Sequence, residues 1–155
     1  MPKIIWSDKL TTGIPSIDEQ HHELIELINI LQDNIERGEL TLAGQTLQAL
    51  TEKKMAHCMH EEELLCQSGF PFYKPHKRQH ESFVRECTAF YQRAQAGEHV
   101  TYKALAFVKL WMVKHIRGED IDYANFVRRH IESGAEPVVP WHLRTLNRFF
   151  PKREK

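Results

Sequence analysis

His57-Cys58-Met59-His60-Glu61-Glu62 stands near the end of a long helical pattern, and its reading decides the fold. His57 and Glu61 are four residues apart, so on a helix they project from one face, one turn from each other. The surrounding stretch, from about Leu40 to Gln67, carries Leu47, Leu50, Met55, Met59 and Leu65 as an apolar face. Ser68-Gly69-Phe70-Pro71 breaks the pattern, with Gly69 a natural C-terminal stop.

Three further helical patterns surround this one. Ser16, with Glu19 completing a capping box, predicts the start of a helix that runs to about Glu36. Its apolar stripe is Ile17, Leu24, Leu27, Ile28, Leu31 and Ile35, and His21 lies within it. A third helix is expected to begin between Pro71 and Pro75 and to end near Ala96, with His76, His80, Phe83 and Cys87 on one face. Thr101 is the expected cap of a fourth, over about Tyr102 to Arg117, lined by Leu105, Val108, Met112 and His115. Gly118 is expected to end it, in a break that swings Asp120 back toward the core.

Four such helices with short loops predict an all-α, up-down-up-down antiparallel four-helix bundle. Residues 1–15 read as an N-terminal arm whose Ile4, Trp6 and Leu10 lie across the bundle. A short helical C-terminal extension follows, with a helix over Ile121 to Ile131, a linker from Gly134 to Pro140 and a further short helix from Trp141 to Phe150. The expected organisation is one domain over residues 1–125, with 126–155 packed on it and not a separate domain.

Lys and Arg number 21, as do Asp and Glu, so the chain has no net charge with neutral histidine. That balance gives no reason to expect nucleic acid or an anionic membrane as partner. The N-terminus has no apolar h-region, and no apolar run reaches membrane-span length. Cys58, Cys66 and Cys87 form no zinc or disulfide pattern and read as free thiols in a reducing compartment, so a cytoplasmic location is expected.

Each of the four helices carries polar residues on its apolar face: His21, then His57 with Glu61, then His76 with His80, then His115 with Asp120. Burying five imidazoles and two carboxylates without partners is costly, and metal ions offer a common partner. Seven protein ligands are too many for one ion and too few to fill two six-coordinate ions. If both carboxylates bridge, one ion is short of a ligand, and a small molecule can bind there. Imidazole with bridging carboxylate suits iron, and ligand type alone equally admits manganese, cobalt or zinc.

Taken in order, these residues resemble the bacterial members of the hemerythrin family. The resemblance runs through Trp6, Gly13-Ile14, Ile17-Asp18-Glu19-Gln20-His21, His57-x-x-x-Glu61-Glu62, Gly69-Phe70-Pro71, His76-x-x-x-His80-x-x-Phe83 and Trp111-x-x-x-His115-Ile116-x-x-x-Asp120, covering about residues 4–125. It implies a non-haem diiron centre with an oxo or hydroxo bridge. One iron would be held by His76, His80 and His115 and the other by His21 and His57, with Glu61 and Asp120 bridging. It implies reversible dioxygen binding for transport, storage or delivery, and no enzymatic turnover. Oxygen or redox sensing, and peroxide or nitric oxide chemistry at the same centre, are the alternatives. The expected partners are dioxygen and a protein that consumes it, with monomer and homo-oligomer both left open.

Other positions carry weaker expectations. Met59, Leu24, Met112 and Trp111 are candidate walls of an apolar pocket. Cys58 stands where the family generally has Phe, and is read as packing against a neighbouring helix. Glu62 is read as facing solvent, and His22 and His60 as pointing away from the ligands. His99, His130 and His142 are given no role.

Overall fold

The computed structural model describes residues 1–98 and 101–134. Four antiparallel helices form the bundle: α1 (Pro15–Glu36), α2 (Leu40–Ser68), α3 (Tyr73–Gln95) and α4 (Thr101–His115). α1 packs on α2 and α4, and α3 on α2 and α4, so the helices close a ring in chain order. The element order and the direction of each helix are those expected of an up-down-up-down bundle. Among the described residues no helix is long and apolar enough to cross a membrane.

The start of α1 differs from its expected form. Ile14 is the N-cap and Pro15 the first helical residue, with no side-chain cap. Proline supplies a preset φ there and has no amide to satisfy, so a Ser16 cap is not needed. Ser16 Oγ instead lies 3.0 Å from His60 Nε2 on α2. The carboxylate of Asp18 organises the entry to the helix: it accepts from the Thr12 amide and hydroxyl, each at 2.7 Å, and from the Gly13 amide at 3.0 Å. Further up the arm, Asn29 pairs with the backbone of Ile4 through both its amide nitrogen and its oxygen, at 2.9 and 3.0 Å. Leu10 is buried, and Ile4 and Trp6 pack on the core beside it. The arm does lie across the bundle, as its apolar residues predict.

α2 ends as expected: Gly69 adopts a left-handed φ of 70°, which glycine takes without steric penalty. α4 does not. Gly118 makes no break, and the chain passes from α4 through a π-helical turn (Ile116–Asp120) straight into α5 (Ile121–Glu132). In an unbroken α-helix, a residue five positions after His115 would point about 140° away from it. The wider turn absorbs an extra residue and brings Asp120 back under His115 without interrupting the helix. The cap expected of the Thr101 side chain, the 134–140 linker beyond its first residue and the 141–150 helix all fall outside the described residues.

The apolar core comes in two parts. The larger holds Leu24, Ile28, Leu31, Leu47, Leu50, Phe83, Leu105, Val108 and Met112. The smaller holds Ile14, Ile17, Leu65, Tyr123, Ala124 and Val127. α5 closes the end of the bundle through the latter three, and Phe126 meets Phe70 at 5.6 Å between ring centroids. On α1, His21 falls between Ile17 of one part and Leu24 of the other. On α2, His57 and Glu61 fall between Leu50 and Leu65. The polar residues therefore occupy a slab with apolar core above and below.

Asp18→Ala removes three hydrogen bonds that tie the arm to α1. We expect it to lower unfolding stability by about 1–3 kcal/mol, read as a fall in the midpoint of a chemical denaturation curve. Asp18→Asn, which keeps one acceptor oxygen, should lose less.

Candidate metal centre

Helix phase delivers the polar slab. His21, His57, Glu61, His76, His80, His115 and Asp120 are all buried, and the structure brings all seven together. The imidazoles turn Nε2 toward the two carboxylates. Glu61 Oε2 lies 3.0 Å from His80, 3.3 Å from His76 and 3.6 Å from His57. Asp120 Oδ1 lies 3.0 Å from His115 and 3.6 Å from His76, while its Oδ2 lies 3.1 Å from His21.

Two overlapping donor sets result. One is Glu61, His76, His80, His115 and Asp120, and the other is His21, His57, Glu61 and Asp120. Within each, the donor atoms lie within 4.8 Å of one another. Five histidines divide three and two, and both carboxylates belong to both sets. Many of these close approaches lack hydrogen-bond geometry. His21 Nε2, His57 Nε2 and both oxygens of Asp120 are buried with no hydrogen-bond partner among the described residues. Orphaned buried donors and acceptors are expensive. Converging imidazole and carboxylate atoms, several of them without a hydrogen-bond partner among the described residues, fit first-row transition ions.

Electrostatics prepare the donors. Burial, with the nearby charge of Lys54, holds His57 well below the ordinary imidazole range. Burial likewise lowers His115 to about 4. Both are therefore neutral near pH 7, the form that ligates metal. Burial alone would raise Glu61, but His57 and the bonds from His76 and His80 hold it well below the carboxylate range. Burial and Glu61 push Asp120 up, and His115 and His21 outweigh them, so it too stays ionised. His80 goes the other way: burial opposes its charge, yet bonds to Cys58, Glu61 and Glu62 raise it to about 11.

Behind the cluster, partners fix the rings. Gln20 Oε1 accepts from His57 Nδ1 at 2.9 Å. Glu62 Oε1 takes His80 Nδ1 at 3.0 Å, and its Oε2 accepts from Lys77 at 2.8 Å. Such contacts set ring orientation and leave Nε2 as the free donor. The Tyr123 hydroxyl, kept protonated by burial and by the charges of Glu61 and Asp120, donates to Glu61 Oε1. The Trp111 ring stacks on His115 at 4.2 Å.

Several secondary expectations change. Glu62 does not face solvent: the α2–α3 packing turns it onto His80. Cys58 is buried and bonds to His80, so it touches the site and is not packing alone. Met59 is 72 % exposed, because its phase on α2 is opposite that of His57 and Glu61, and it walls nothing. Leu24 and Met112 are buried beside the site, as read from the sequence. His22 is half exposed, with its ring 5.3 Å from Trp6, and His60 turns to Ser16, so neither joins the cluster. His130 does not join it either, and His99 and His142 lie outside the described residues. Sequence reading missed Gln20, Tyr123 and Lys54. Lys54 alone had a signal, since it lies three residues before His57 on the same helical face.

The Hemerythrin HHE cation binding domain model matches residues 12–127. A bacteriohemerythrin of Stenotrophomonas maltophilia is 35% identical, covering 97% of this chain and 99% of its own. One from Pseudomonas aeruginosa is 32% identical over 97% of this chain and 99% of its own. The crystal structure of a wild-type hemerythrin superposes with a TM-score of 0.76 at 26% identity, covering 81% of this chain and 98% of that one. With the bundle, the three-and-two division of buried histidines and the domain match all in agreement, the chain belongs to the hemerythrin family.

Proposed function

We propose that the chain binds dioxygen reversibly at a non-haem diiron centre, as a carrier, store or delivery protein and not as an enzyme. The observation that carries this reading is the unequal sharing of histidines between two donor sets joined by Glu61 and Asp120. His76, His80 and His115 would hold one iron and His21 and His57 the other, and the pair would supply the site at which the gas binds. Two ferrous ions, when bound, supply the electrons on which reversible oxygen binding draws.

The chain's own residues do the rest. Gln20 and Glu62 hold the His57 and His80 rings in place. Tyr123 fixes the outer oxygen of Glu61, and Trp111 braces His115. The apolar layers on either side keep water from the centre. Membership of the family and the resemblance to bacteriohemerythrins support the oxygen-carrying reading over a catalytic one. The 1–125 bundle is proposed as the whole binding unit, with 126–155 as an extension upon it.

Anaerobic loading with ferrous ions should give two irons per chain. Admitting oxygen should then raise a visible charge-transfer band that disappears on degassing and returns on reoxygenation. Uptake of one iron, or a band that bleaches irreversibly with turnover, contradicts the reading.

His57→Ala should lose the oxygen-dependent band and at least one iron. His22→Ala, which alters only a half-exposed ring against Trp6, should keep both. Iron analysis and difference spectra on the two variants decide the matter.

Two pH effects follow. In the metal-free protein His80 is protonated well above neutrality, because its folded value is raised to about 11. Ferrous loading at pH 7 should therefore release about one proton per chain from this ring, measurable with an indicator dye. His115 has the opposite shift, down to about 4 from an ordinary value near 6.5. A depressed imidazole favours the unfolded chain once that chain can protonate. The stability of the metal-free bundle due to His115 should thus be complete above about pH 6.5 and drain away as the pH falls toward 4. Denaturation midpoints across that window test it, with His115→Gln flattening the slope.

A further inference from the structure

Lys54 is 0 % exposed, and its Nζ has no hydrogen-bond partner among the described residues. A lysine near a surface normally extends its head to water. This one does not, and its place in the bundle gives the reason a meaning. The core layer next to the polar slab is read from helix phase: Leu24 lies three after His21, Phe83 three after His80, and Met112 three before His115. All three are buried and apolar. The remaining helix, α2, contributes Lys54, three before His57, to the same layer. An otherwise apolar wall over the cluster thus holds one donor.

The head of Lys54 is directed at the site. Nζ lies 5.1 Å from the centre of the Trp111 ring, which stacks on His115 and sits 6.5 Å from His80. Its charge also acts on His57, His80 and His115. The indole face offsets part of the cost of burial but accepts no conventional hydrogen bond from the ammonium. Cys87, the thiol within reach of its field, is pushed up to about 12 by burial and offers no counter-charge. A lysine head has three donors and no acceptor, so its missing partner must be an acceptor.

Taking the diiron reading as its basis, we propose that Lys54 is a specificity-determining residue of the centre, donating a hydrogen bond to the outer atom of a small monovalent anion bound there. Leu24, Phe83 and Met112 are buried and apolar, so in this layer Lys54 is the group that can donate to a ligand with a terminal nitrogen or oxygen acceptor. A ligand that gains negative charge at the centre is held by the same donor, while a neutral one is not favoured.

The test uses azide as probe on full-length, iron-loaded, oxidised protein, comparing wild type with Lys54→Met, which keeps length and removes the donor. Azide titration by visible absorption should show Kd weakened about tenfold or more in the variant, as loss of a charge-assisted hydrogen bond implies, with two irons retained. Metal-free Lys54→Met should also melt higher, by about 3 °C or more, because an unpartnered buried polar group has gone. A merely structural lysine would give the reverse, a lower melting temperature and an unaltered Kd. Unchanged azide affinity with two irons bound overturns the proposal alone, as does a melting temperature that stays or falls. Fewer than two irons in wild type overturns the diiron reading, and the role of Lys54 with it.

Discussion

Everything in this fold depends on two carboxylates being held ionised in the middle of the bundle. Glu61 and Asp120 are fully buried, and an isolated buried carboxylate would neutralise itself. They stay charged because five imidazoles surround them with Nε2 facing inward. No one helix can supply that shell. Each of the four bundle helices gives at least one member, so the polar slab forms only when the bundle closes. The same requirement explains the π-helical turn. Without the extra residue of Ile116–Asp120, His115 and Asp120 would point to different sides of α4.

Much of this was legible in the sequence, and the reason is periodicity. His57 with Glu61 and His76 with His80 are spaced by four on apolar faces, so a helix places each pair on the inside with no tertiary information. Asp120 was legible only in part. Its need to face the core was readable, but Gly118 suggested a break and the chain uses a wide turn instead, a choice that glycine does not signal. Glu62 shows the opposite limit. Its angle on α2 points to the side of the helix, and whether that side meets water or α3 depends on packing that one helix cannot reveal. Gln20 and Tyr123 lie outside any spacing rule, since their partners are 37 and 62 residues away. The Asp18 contacts to the arm are local, but they replace a capping box that the letters Ser16 and Glu19 spell equally well.

The two sides of the slab are not equivalent. Toward α5, the layer is closed by Ile17, Leu65 and Tyr123, whose hydroxyl is used up on Glu61. Toward the middle of the bundle, the layer is apolar except for Lys54. A cluster that keeps a free coordination position would use the side where a ligand meets one donor and three apolar walls. This side of the cluster therefore meets a buried amine as well as apolar side chains.

The proposed diiron centre requires Glu61 and Asp120 to be shared by two metal ions. Magnetic resonance on the oxidised iron-loaded protein tests it most directly. Two ferric ions joined by common bridges couple antiferromagnetically, so we predict a protein with two irons per chain and no ferric resonance at low temperature. A strong signal of isolated high-spin ferric ions, accounting for the iron present, would contradict the account.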